Sequence, residues 1–550
     1  MWAKDPGWAV RHESWFGDRV VRCYADRAPN FDALIRRSAE RFPDREALVF
    51  EDHRLTYRQL DKAVSDVAAN LAARGIKQGD RVGLYCGNHV AFFLGSFGAI
   101  RLGAVVVPIG IRQQGPEIAY ALNDCQAKAL IFDAAAAGRL PEPSVIPSIG
   151  PRFSVEGTVA GAEPFEVLLK PAPAFTPPAI DQHDLAFIMY TSGTTGRPKG
   201  AMLVHANFVH SARHFEVCVG HTEQTRGLLA IPGSHISGLG AIVTEMLHVG
   251  GCIVVTREFK VRPCLELMVK ERVSFTVFVP TMYKLCLIEP DFDGFDLKSS
   301  WRVGLYGGAI MPEATIALLA EKMPQLELVN GYGATETCSP ATVTLPREAT
   351  KHPDSIGKTV PLGDIRIMDE SGLEVAPGEP GELWIAGPMV AKGYWNNPEA
   401  TAANFIGGYW RSGDIGSKDA KGYIRIHDRK KDMINRAGYK VYSAEVENVL
   451  TFHPDVIECV VVPRPDTMMG ERVQAYVRSN RETLTQDELR AFCAERLADY
   501  KVPDVIRVTA EALPRNNNGK LMKTVLRDQA AEDARRDEAA GIRVGRSAAR

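Results

Sequence analysis

The chain has 550 residues, which is more than one hydrophobic core accommodates, so we expect two or more domains. Hydrophobic residues make up 45% and charged residues 24%, the composition of an ordinary soluble globular protein. A formal net charge of -2 lacks the basic surplus of a nucleic-acid-binding surface, so no nucleic-acid partner is expected.

Neither a secreted nor a membrane protein is indicated. The ten cysteines include no C-x-x-C pair, which argues against a zinc site or a disulfide framework and for reduced thiols in the cytoplasm. The N-terminus MWAKDPGWAV lacks the apolar run of a signal peptide. The most apolar stretch, 91–111, carries Arg101 at its centre. A charge there costs at least ~2.5–3.5 kcal/mol in a bilayer, so we predict a buried helix and then a buried strand.

From about Glu46 the chain alternates predicted strands and helices. EALVFEDHRLTY predicts two short strands, and Thr56 with Gln59 fits a capping box at the next helix. Gly75 suits the position just after that helix. A strand (DRVGLYCGN), a helix over 90–102 and a further strand (GAVVVPI) follow. This alternation predicts βαβ units and largely parallel sheets.

The composition and the predicted secondary structure change twice further along the chain. Residues 134–180 are rich in Ala, Pro, Gly and Ser and predict a loosely structured surface connection. The alternation then resumes, and after Lys351 short strands with Gly and Pro turns predict a β-rich subdomain at about 351–428. We therefore expect an α/β N-terminal domain at 1–428, built of βαβ layers with parallel-rich sheets.

A smaller α+β domain is predicted at 429–530. It contains a helix from Ser443, the strands IECVVVP and VQAYV, and a helix with a capping box at Thr485–Glu488. The last stretch, 531–550, is charged and Ala-rich with little apolar periodicity, which predicts a frayed helix or a disordered tail.

One polar loop has the composition of an anion-binding site. YTSGTTGRPKG, at 190–200, follows the apolar run LAFIM. Its glycines let successive N–H groups converge on an anion, its hydroxyls add donors, and its lysine neutralises charge, so the loop predicts a phosphate cradle. The alternative is a solvated turn. A Walker A loop is excluded, because Lys199 is followed by Gly200 and not by Ser or Thr.

This loop and five later motifs resemble those of the adenylate-forming superfamily, in the same order and spacing. That superfamily contains acyl- and aryl-CoA synthetases, peptide adenylation domains and firefly luciferase. The later motifs are YGGAI at 306–310, NGYGATE at 330–336, YWRSGD ending in Asp414, the stretch 428–447, and PRNNNGK ending in Lys520. The likeness runs from about residue 30 to about 528.

The resemblance implies a nucleotide site. Tyr332 would stack on the base, Thr335 would face phosphate, Glu336 would hold Mg²⁺, and Asp414 would accept hydrogen bonds from the ribose hydroxyls. The residues implied to bind ATP or AMP are Thr191, Ser192, Gly193, Thr194, Thr195, Gly196, Lys199, Gly307, Gly308, Ala309, Gly331, Tyr332, Gly333, Asp414 and Arg429.

Lys520 is implied as the catalytic lysine, with Glu336 and Thr335 as the other catalytic residues. Most lysines are instead solvated surface residues. Three asparagines, 516–518, stand where small Ser, Thr or Ala residues are more typical of the family. We expect them to affect the flexibility of the loop more than the role of its lysine.

The smaller domain is implied to be a mobile lid that serves two half-reactions. It would first present the lysine loop and then rotate about Lys431, so that CoA passes close to Gly438 and Tyr439. Ser443 stands where the family commonly has a proline. Serine is a good N-cap, so the start of the helix should survive.

The acyl pocket is less well defined. His235 stands where the family has a histidine or an aromatic residue at the pocket wall, although Ser234 replaces the aromatic residue that usually precedes it. A purely structural histidine is the alternative. The residues implied to line the pocket are His235, Gly238, Gly308 and Gly333.

Two features favour an acid with a large, uncharged acyl group. Between Ile231 and Ile242 there is no aspartate to pair with an amino-acid substrate. Gly331 and Gly333 flank Tyr332 and should leave space where acetate enzymes close the pocket with tryptophan. A medium- or long-chain fatty acid and an aryl or arylpropenoic acid both remain candidates.

Two histidines stand at a spacing that can bind metal on a helix. His210 and His214 are four residues apart in HSARHF, but no third ligand with supporting spacing is near. We therefore predict ordinary helix-surface residues.

The resemblance implies ATP-dependent conversion of a carboxylic acid to an acyl-adenylate with release of pyrophosphate, then acyl transfer to CoA. ATP, Mg²⁺ and CoA would be required. One alternative is an acyl-AMP ligase that loads a separate carrier protein, and another is a non-catalytic nucleotide- or acyl-binding relative. We expect a cytoplasmic enzyme without integral membrane association, as a monomer or homodimer.

Overall fold

A computed structural model of the chain describes residues 8–172, 175–191, 197–309, 311–346, 348–515 and 521–540. Helices and parallel strands alternate through most of it, so the predicted α/β class is confirmed. In these ranges, no helix combines the length and the hydropathy needed to cross a bilayer. All ten cysteines lie in the described part of the chain, where each is buried and none forms a disulfide.

The strands of the described residues are mostly short. In chain order they are β1 Val10–Trp15, β2 Arg19–Tyr24, β3 Glu46–Phe50, β4 His53–Thr56, β5 Arg81–Tyr85, β6 Val105–Pro108, β7 Ala129–Asp133, β8 Arg152–Val155, β9 Glu163–Pro164, β10 Leu185–Thr191, β11 Lys199–Val204, β12 Arg226–Leu229, β13 Cys252–Val255, β14 Phe275–Phe278, β15 Val303–Tyr306, β16 Glu327–Tyr332, β17 Thr342–Val343, β18 Lys358–Thr359, β19 Asp364–Met368, β20 Gly381–Ala386, β21 Phe405–Ile406, β22 Tyr409–Lys418, β23 Ile424–Arg429, β24 Ile434–Arg436, β25 Tyr439–Val441, β26 Val456–Asp466, β27 Gly470–Ser479 and β28 Val505–Thr509.

The α-helices lie between these strands. In chain order they are α1 Phe31–Arg41, α2 Tyr57–Ala73, α3 Val90–Arg101, α4 Gly115–Asp124, α5 His205–Val219, α6 Ile236–Gly238, α7 Glu245–Val249, α8 Val261–Lys270, α9 Pro280–Leu287, α10 Glu313–Lys322, α11 Pro398–Asn404, α12 Ser443–Thr451, α13 Gln486–Ala494 and α14 Lys523–Ala539. A π-helical segment, Leu239–Thr244, joins α6 to α7.

Two large sheets organise the first part of the chain. One has seven strands in the order β11-β10-β6-β5-β7-β8-β9, and the other has nine in the order β18-β17-β16-β15-β14-β12-β13-β3-β4. Strands β5, β6, β7 and β8 pair in parallel, as do β13, β12, β14, β15 and β16. The carboxyl ends of β15 and β16 therefore lie side by side at one edge of the nine-stranded sheet.

The remaining sheets are smaller. Strands β1 and β2 form a hairpin, and β19-β20-β22-β21 form a sheet in which β23 also pairs with β22. The last sheet has the order β25-β24-β27-β26, with β28 beside β27.

Local signals in the sequence are borne out at α2 and α3. Thr56 and Gln59 form the reciprocal capping box, and Gly75 follows α2 with a positive φ of 86°. Arg101 is fully buried at the end of α3, where its guanidinium contacts Asp32 at 2.7 Å and Asp61 at 2.6 Å. The predicted buried helix and buried strand are confirmed, because the charge that argued against a membrane span is paired inside the protein.

The chain divides into two compact units. The first comprises Met1–Ile365, Trp384–Arg411 and Lys421–Tyr423. The second comprises Arg366–Leu383, Ser412–Ala420 and Ile424–Arg550.

The prediction of a loose connection over 134–180 is wrong. Strand β8 pairs in parallel with β7, and Ile146, Phe153 and Leu168 are fully buried. The few apolar residues that make these contacts are spread among Ala, Pro and Gly, so the composition of the stretch concealed its strand.

The prediction of helix-surface histidines is also wrong. His210 and His214 are fully buried on α5, and both imidazoles pack against the ring of Tyr24. Their four-residue spacing fixed a common face of the helix, and the packing of β2 decided that this face points inward.

Of the two predictions for the tail, a frayed helix or disorder, the helix is borne out as far as residue 539. Helix α14 buries Leu526 and Ala530 against side chains of β26 and β27, and Asp537 pairs with Arg464 at 2.6 Å. Two buried residues over so many turns leave almost no periodic signal in the sequence. Residues 541–550 lie outside the described residues.

Helix α12 begins as predicted, but Ser443 does not cap it. Tyr442 is the N-cap, and Ser443 is the first helical residue. The Ser443 hydroxyl accepts a hydrogen bond from Lys523 Nζ at 2.6 Å, so it serves a tertiary contact instead.

Candidate active site

The predicted phosphate loop connects two antiparallel strands. Thr191 ends β10 and faces Lys199, the first residue of β11, and the Thr191 hydroxyl lies 3.4 Å from the Lys199 carbonyl oxygen. Pairing therefore holds the two flanking residues together. The loop residues themselves, Ser192, Gly193, Thr194, Thr195 and Gly196, lie outside the described residues.

A buried tyrosine joins the lysine of this loop to the predicted magnesium ligand. The Lys199 ammonium lies 5.2 Å from the centroid of the Tyr394 ring. The Tyr394 hydroxyl donates to Glu336 Oε1 at 2.9 Å and lies 3.4 Å from Trp410 Nε1. Burial, and then the Glu336 carboxylate, raise the pKa of Tyr394 far above its ordinary value, so this side chain stays a neutral donor.

Glu336 is held by its backbone as well as by Tyr394. It lies in the short 3₁₀ turn Thr335–Thr337, and its carbonyl oxygen accepts the N–H of Ala391 at 2.8 Å. Glu336 is only 8% exposed and Tyr394 only 5%. A carboxylate buried to this degree requires a partner, and the Tyr394 hydroxyl supplies one.

Tyr394 is a candidate site residue that the sequence motifs did not indicate. It lies in the stretch AKGYW, more than fifty residues after the Glu336 motif. An aromatic residue in a Gly-containing stretch carries no signal of its own, and only the folded chain brings its hydroxyl to the carboxylate.

The ends of β15 and β16 approach each other closely. A Cβ atom on Gly307 would lie 2.3 Å from the Gly331 carbonyl oxygen, so no other residue fits there. Gly308 has φ +75° and open space where a Cβ would point, and Gly308 and Ala309 are exposed. Tyr332 ends the neighbouring strand β16 and is half-buried. The backbone edge 307–309, which carries almost no side-chain atoms, thus lies beside Tyr332. This arrangement can bind a planar base.

His235 caps the short helix α6. Its Nδ1 accepts the N–H of Ser237 at 3.3 Å. A Cβ on Gly238 would lie 2.6 Å from the Pro232 carbonyl oxygen, so this glycine packs against the backbone of its own loop.

The space predicted beside Tyr332 is partly filled. A Cβ on Gly331 would contact the Leu305 side chain at 3.2 Å, and one on Gly333 would contact the Thr337 hydroxyl at 3.1 Å. Of the glycines predicted at the acyl pocket, Gly308 is the one that faces open space in the direction of a Cβ.

In the second unit, the predicted ribose acceptor is already paired. Asp414 on β22 lies opposite Arg429 on β23, and their side chains contact each other at 2.8 Å. Asp414 is buried, and its backbone N–H donates to Ser412 Oγ at 3.0 Å. The guanidinium fixes the carboxylate, and the Arg429 side chain is 43% exposed to solvent.

The predicted CoA residues lie on a tight hairpin between β24 and β25. Ala437 and Gly438 both have positive φ, and the Gly438 N–H donates to Asn435 Oδ1 at 3.0 Å. Tyr439 is 60% exposed and stacks on Tyr500 with ring centroids 4.8 Å apart. The hairpin therefore presents an open backbone turn beside an aromatic surface.

The predicted hinge and catalytic lysines also belong to the second unit. Burial lowers the pKa of Lys431, an effect that Asp432 opposes and the Arg429 and Arg527 charges reinforce. Lys520 lies outside the described residues. Arg515 and Leu521, which flank its loop, form an isolated β-bridge.

Among the described residues, one group of side chains has ligand atoms close enough to share a metal ion: His453, Asp455 and Glu488. Arg481 pairs with both carboxylates, at 3.1 Å and 2.5 Å. The His453 Nδ1 atom accepts the N–H of Asp455 at 3.3 Å. Because the guanidinium already neutralises the carboxylates, this group is an ion-pair network.

The fold and the site together define an enzyme of the adenylate-forming class. Residues 35–395 match the AMP-binding enzyme family, and residues 445–520 match the AMP-binding enzyme C-terminal domain. The chain belongs to the AMP-binding enzyme family. The predicted family and fold class are confirmed. The relatives named next are CoA ligases, which confirms the predicted enzyme class, an AMP-forming acid–thiol ligase.

Named relatives cover nearly the whole chain. It is 36% identical over 507 residues to the long-chain-fatty-acid–CoA ligase FadD13 of Mycobacterium tuberculosis, a match covering 91% of this chain and 98% of that protein. It is 36% identical over 483 residues to a feruloyl-CoA synthase of an Amycolatopsis species, covering 86% and 93%. The O-succinylbenzoate CoA synthetase of Bacillus subtilis, solved with ATP and a magnesium ion, superposes with a TM-score of 0.80 at 30% identity, covering 90% of this chain and 98% of that one.

Proposed function

We propose that this enzyme joins a carboxylic acid with an uncharged acyl group to coenzyme A in two steps, at the expense of magnesium-bound ATP. The observation that carries the proposal is the buried contact between Tyr394 and Glu336 next to the Lys199 ammonium. It combines a fixed anionic oxygen ligand with a cation at the foot of the predicted phosphate loop, which is what the binding of a metal–triphosphate complex requires.

Magnesium fits this site. The ion prefers oxygen ligands and is commonly held by one or two carboxylates together with substrate phosphates. Glu336 offers a buried carboxylate whose orientation is fixed by Tyr394 and by its own backbone. When bound, Mg²⁺ would neutralise phosphate charge and so lower the repulsion between ATP and the incoming carboxylate.

In the first step, a carboxylate oxygen attacks the α-phosphorus of ATP. The bond from that phosphorus to the bridging oxygen breaks, and pyrophosphate leaves. We assign Lys199, Thr191 and the loop residues 192–196 to the departing phosphates, and Thr335 to the phosphate that stays. The backbone edge 307–309 and Tyr332 would take adenine, and Asp414 with Arg429 the ribose and α-phosphate. No protein nucleophile is needed, because positioning and charge neutralisation carry the step.

In the second step, the CoA sulfur attacks the carbonyl carbon of the adenylate, and AMP leaves. We assign residues 1–428 to the nucleotide-binding domain, 429–530 to a mobile lid and Lys431 to its hinge. In the first step the lid would present Lys520 to the carboxylate and the α-phosphate. In the second it would present the hairpin of Gly438 and Tyr439, whose open turn and exposed ring suit a pantetheine chain and its nucleotide.

The acid is proposed to be an aryl acid or a medium- to long-chain fatty acid. Residues 231–242, which include His235 and Gly238, contain no carboxylate that would pair with an ammonium group. One relative is named for a long-chain fatty acid and another for ferulic acid, at the same overall identity to this chain. A cytoplasmic location is proposed from the ten free, buried thiols, which suit a reducing compartment.

The test is a pyrophosphate-release screen with ATP and Mg²⁺. It uses saturated fatty acids of graded chain length, substituted benzoates and cinnamates, with amino acids and acetate as negative controls. We expect release with one of the first three classes, and thioester formation when CoA is added. If none of these acids supported pyrophosphate release or the exchange of labelled pyrophosphate into ATP, the proposal would be contradicted and a non-catalytic relative would be favoured.

The acceptor needs its own comparison. Offering CoA and a purified phosphopantetheinylated carrier protein in parallel separates a CoA ligase from an acyl-AMP ligase that loads a carrier. We expect CoA to be consumed, and transfer to the carrier alone would contradict the assignment of CoA.

A further inference from the structure

A lysine stands at an unfavourable position just after the predicted catalytic loop. Lys523 is the first residue of α14, three residues after Lys520. A positive charge at the N-terminus of a helix opposes the helix dipole. Its side chain is only 21% exposed, although lysine is seldom buried unless it is paired. Local helix propensity therefore does not explain why a lysine occupies this position, so the explanation must lie in its interaction partners.

The partners of Lys523 lie on two other elements of the second unit. Its Nζ contacts Glu447 Oε1 at 2.7 Å and donates to Ser443 Oγ at 2.6 Å. The Ser443 N–H in turn donates to the Asp428 carboxylate. Lys523 thus ties the start of α14 to the first turns of α12 and, through Ser443, to the end of β23.

The charges of this group support one another. Burial alone would lower the pKa of Lys523, but the carboxylates of Glu447 and Asp428 hold it above its ordinary value. Glu447 is fixed independently, because its Oε1 also accepts the N–H of Val461 at 2.8 Å. The ammonium therefore stays charged and sits between anchored partners.

The other end of the loop is anchored as well. Arg515 pairs with Glu458, whose carboxylate also accepts the N–H of Leu513 at 3.1 Å. The N–H of Met522 donates to the Pro514 carbonyl oxygen at 2.8 Å, which closes the two ends of the loop on each other. The residues on both sides of 516–520 are thus fixed by ion pairs to the strand and helix of one core.

Ser443 is a necessary part of this arrangement. A proline at this position would offer neither an N–H nor a hydroxyl. Here the serine uses both groups, one towards Asp428 and one towards Lys523.

We propose that Lys523 is a positioning residue for adenylation, which acts through Ser443, Glu447 and Asp428 to anchor the chain directly after residues 516–520, the stretch that contains Lys520. This inference rests on the proposed function, in which Lys520 serves the first step and the hairpin of Gly438 serves the second. It follows that loss of Lys523 slows the first step selectively.

The test measures both half-reactions of the full-length chain. Acid-dependent pyrophosphate release reports the first, with cinnamic acid or dodecanoic acid as the probe. Formation of thioester from supplied cinnamoyl- or dodecanoyl-adenylate and CoA reports the second. For Lys523→Met we expect pyrophosphate release to fall by about 10²-fold, the cost of ~1 Å of misplacement, with thioester formation nearly unchanged.

Three further variants separate positioning from stability. Lys523→Arg keeps the charge and should restore most of the lost rate. Lys523→Met combined with Glu447→Gln removes the unpaired carboxylate that the single variant leaves buried, so it should regain thermal stability but not adenylation. Ser443→Pro removes both serine contacts, while proline at the first helical position suits the helix, so a smaller selective loss is expected.

The matched control is Arg507→Met. Arg507, on β28, forms a surface ion pair with Asp533 of α14, the helix that also contains Lys523. Loss of this pair should leave both half-reactions unchanged. Equal losses in both half-reactions of Lys523→Met, or full adenylation by it, would overturn the positioning role. A wild-type chain that releases no pyrophosphate with any acid would instead overturn the proposed function itself.

Discussion

The two units hold their candidate catalytic groups in different ways. In the first, Glu336 and Tyr394 are almost fully buried and are joined by a hydrogen bond from a neutral donor. In the second, Arg429 is 43% exposed and Tyr439 is 60% exposed, and the fixed groups are held mainly by ion pairs. The Glu336–Tyr394 pair is thus largely shielded from solvent, whereas Arg429 and Tyr439 present exposed side chains.

This difference in exposure agrees with the catalytic role proposed for each unit. Charge stabilisation is most effective where water is excluded and the groups do not reorganise, which suits the magnesium–triphosphate end of the reaction. Groups that must meet the substrate in turn, and then withdraw, need exposed side chains and short turns.

Replacement of Glu336 by glutamine should have the largest effect. The amide keeps an oxygen that accepts the Tyr394 hydroxyl but loses the charge that the metal requires, so adenylation should fall by about 10³-fold. Pyrophosphate release measures the loss, and the thermal unfolding midpoint should stay close to that of the wild type. A variant that remained active would show that the buried carboxylate is structural.

Tyr394→Phe tests whether burial positions that carboxylate. Removal of the hydroxyl takes away a hydrogen bond to a charged group, so we expect adenylation to fall by about 10- to 100-fold. Tyr423→Phe is the matched control, since its hydroxyl contacts Glu348 at 3.1 Å in the same unit. Similar losses in both variants would argue that the effect is general and not specific to Glu336.

Gly438→Leu probes the hairpin beside the exposed Tyr439. We expect thioester formation from supplied adenylate to slow by about tenfold, equivalent to ~1.4 kcal/mol, with adenylation retained. Gly422→Leu introduces the same backbone strain at another open turn, with φ +85° compared with +91° for Gly438. If the Gly422 variant lost thioester formation equally, strain and not obstruction of CoA would be the cause.

Mildly acidic pH should lower the free energy of unfolding of the first unit, because it contains buried histidines. Burial lowers the pKa of His205 to about 4 and of His214 to about 3. The unfolded chain therefore binds more protons, and the stability that is fully present above pH 6.5 is lost as the pH falls towards these values. Each histidine should contribute a loss of about 0.8 kcal/mol between pH 8 and pH 6.

Urea unfolding followed by tryptophan fluorescence measures this loss, because the six tryptophans of the described residues all belong to the first unit. His214→Phe should flatten the pH dependence by about 0.8 kcal/mol, and the exposed His53→Asn should leave it unchanged. An unaltered slope in His214→Phe would mean that this ring is protonated within the fold.

Local signals predicted much of the fold correctly. The capping box at Thr56 and the alternation of strands with helices depend on neighbours in the chain, and both appear as expected. The strand β8, the buried His214 and the packing of α14 were not predicted, because their burial depends on partners that are distant in sequence.

The sequence alone indicated the reaction class, because six separated motifs, with glycines, hydroxyls and charges that suit a bound triphosphate, resemble those of adenylate-forming enzymes in the same order and spacing. Only the tertiary structure decided that Tyr394 holds Glu336, that Gly307 abuts Gly331, and that Ser443 links Lys523 to Asp428. These contacts join residues from separate stretches of the chain, and their energies come from burial and geometry, which exist only after the chain has folded.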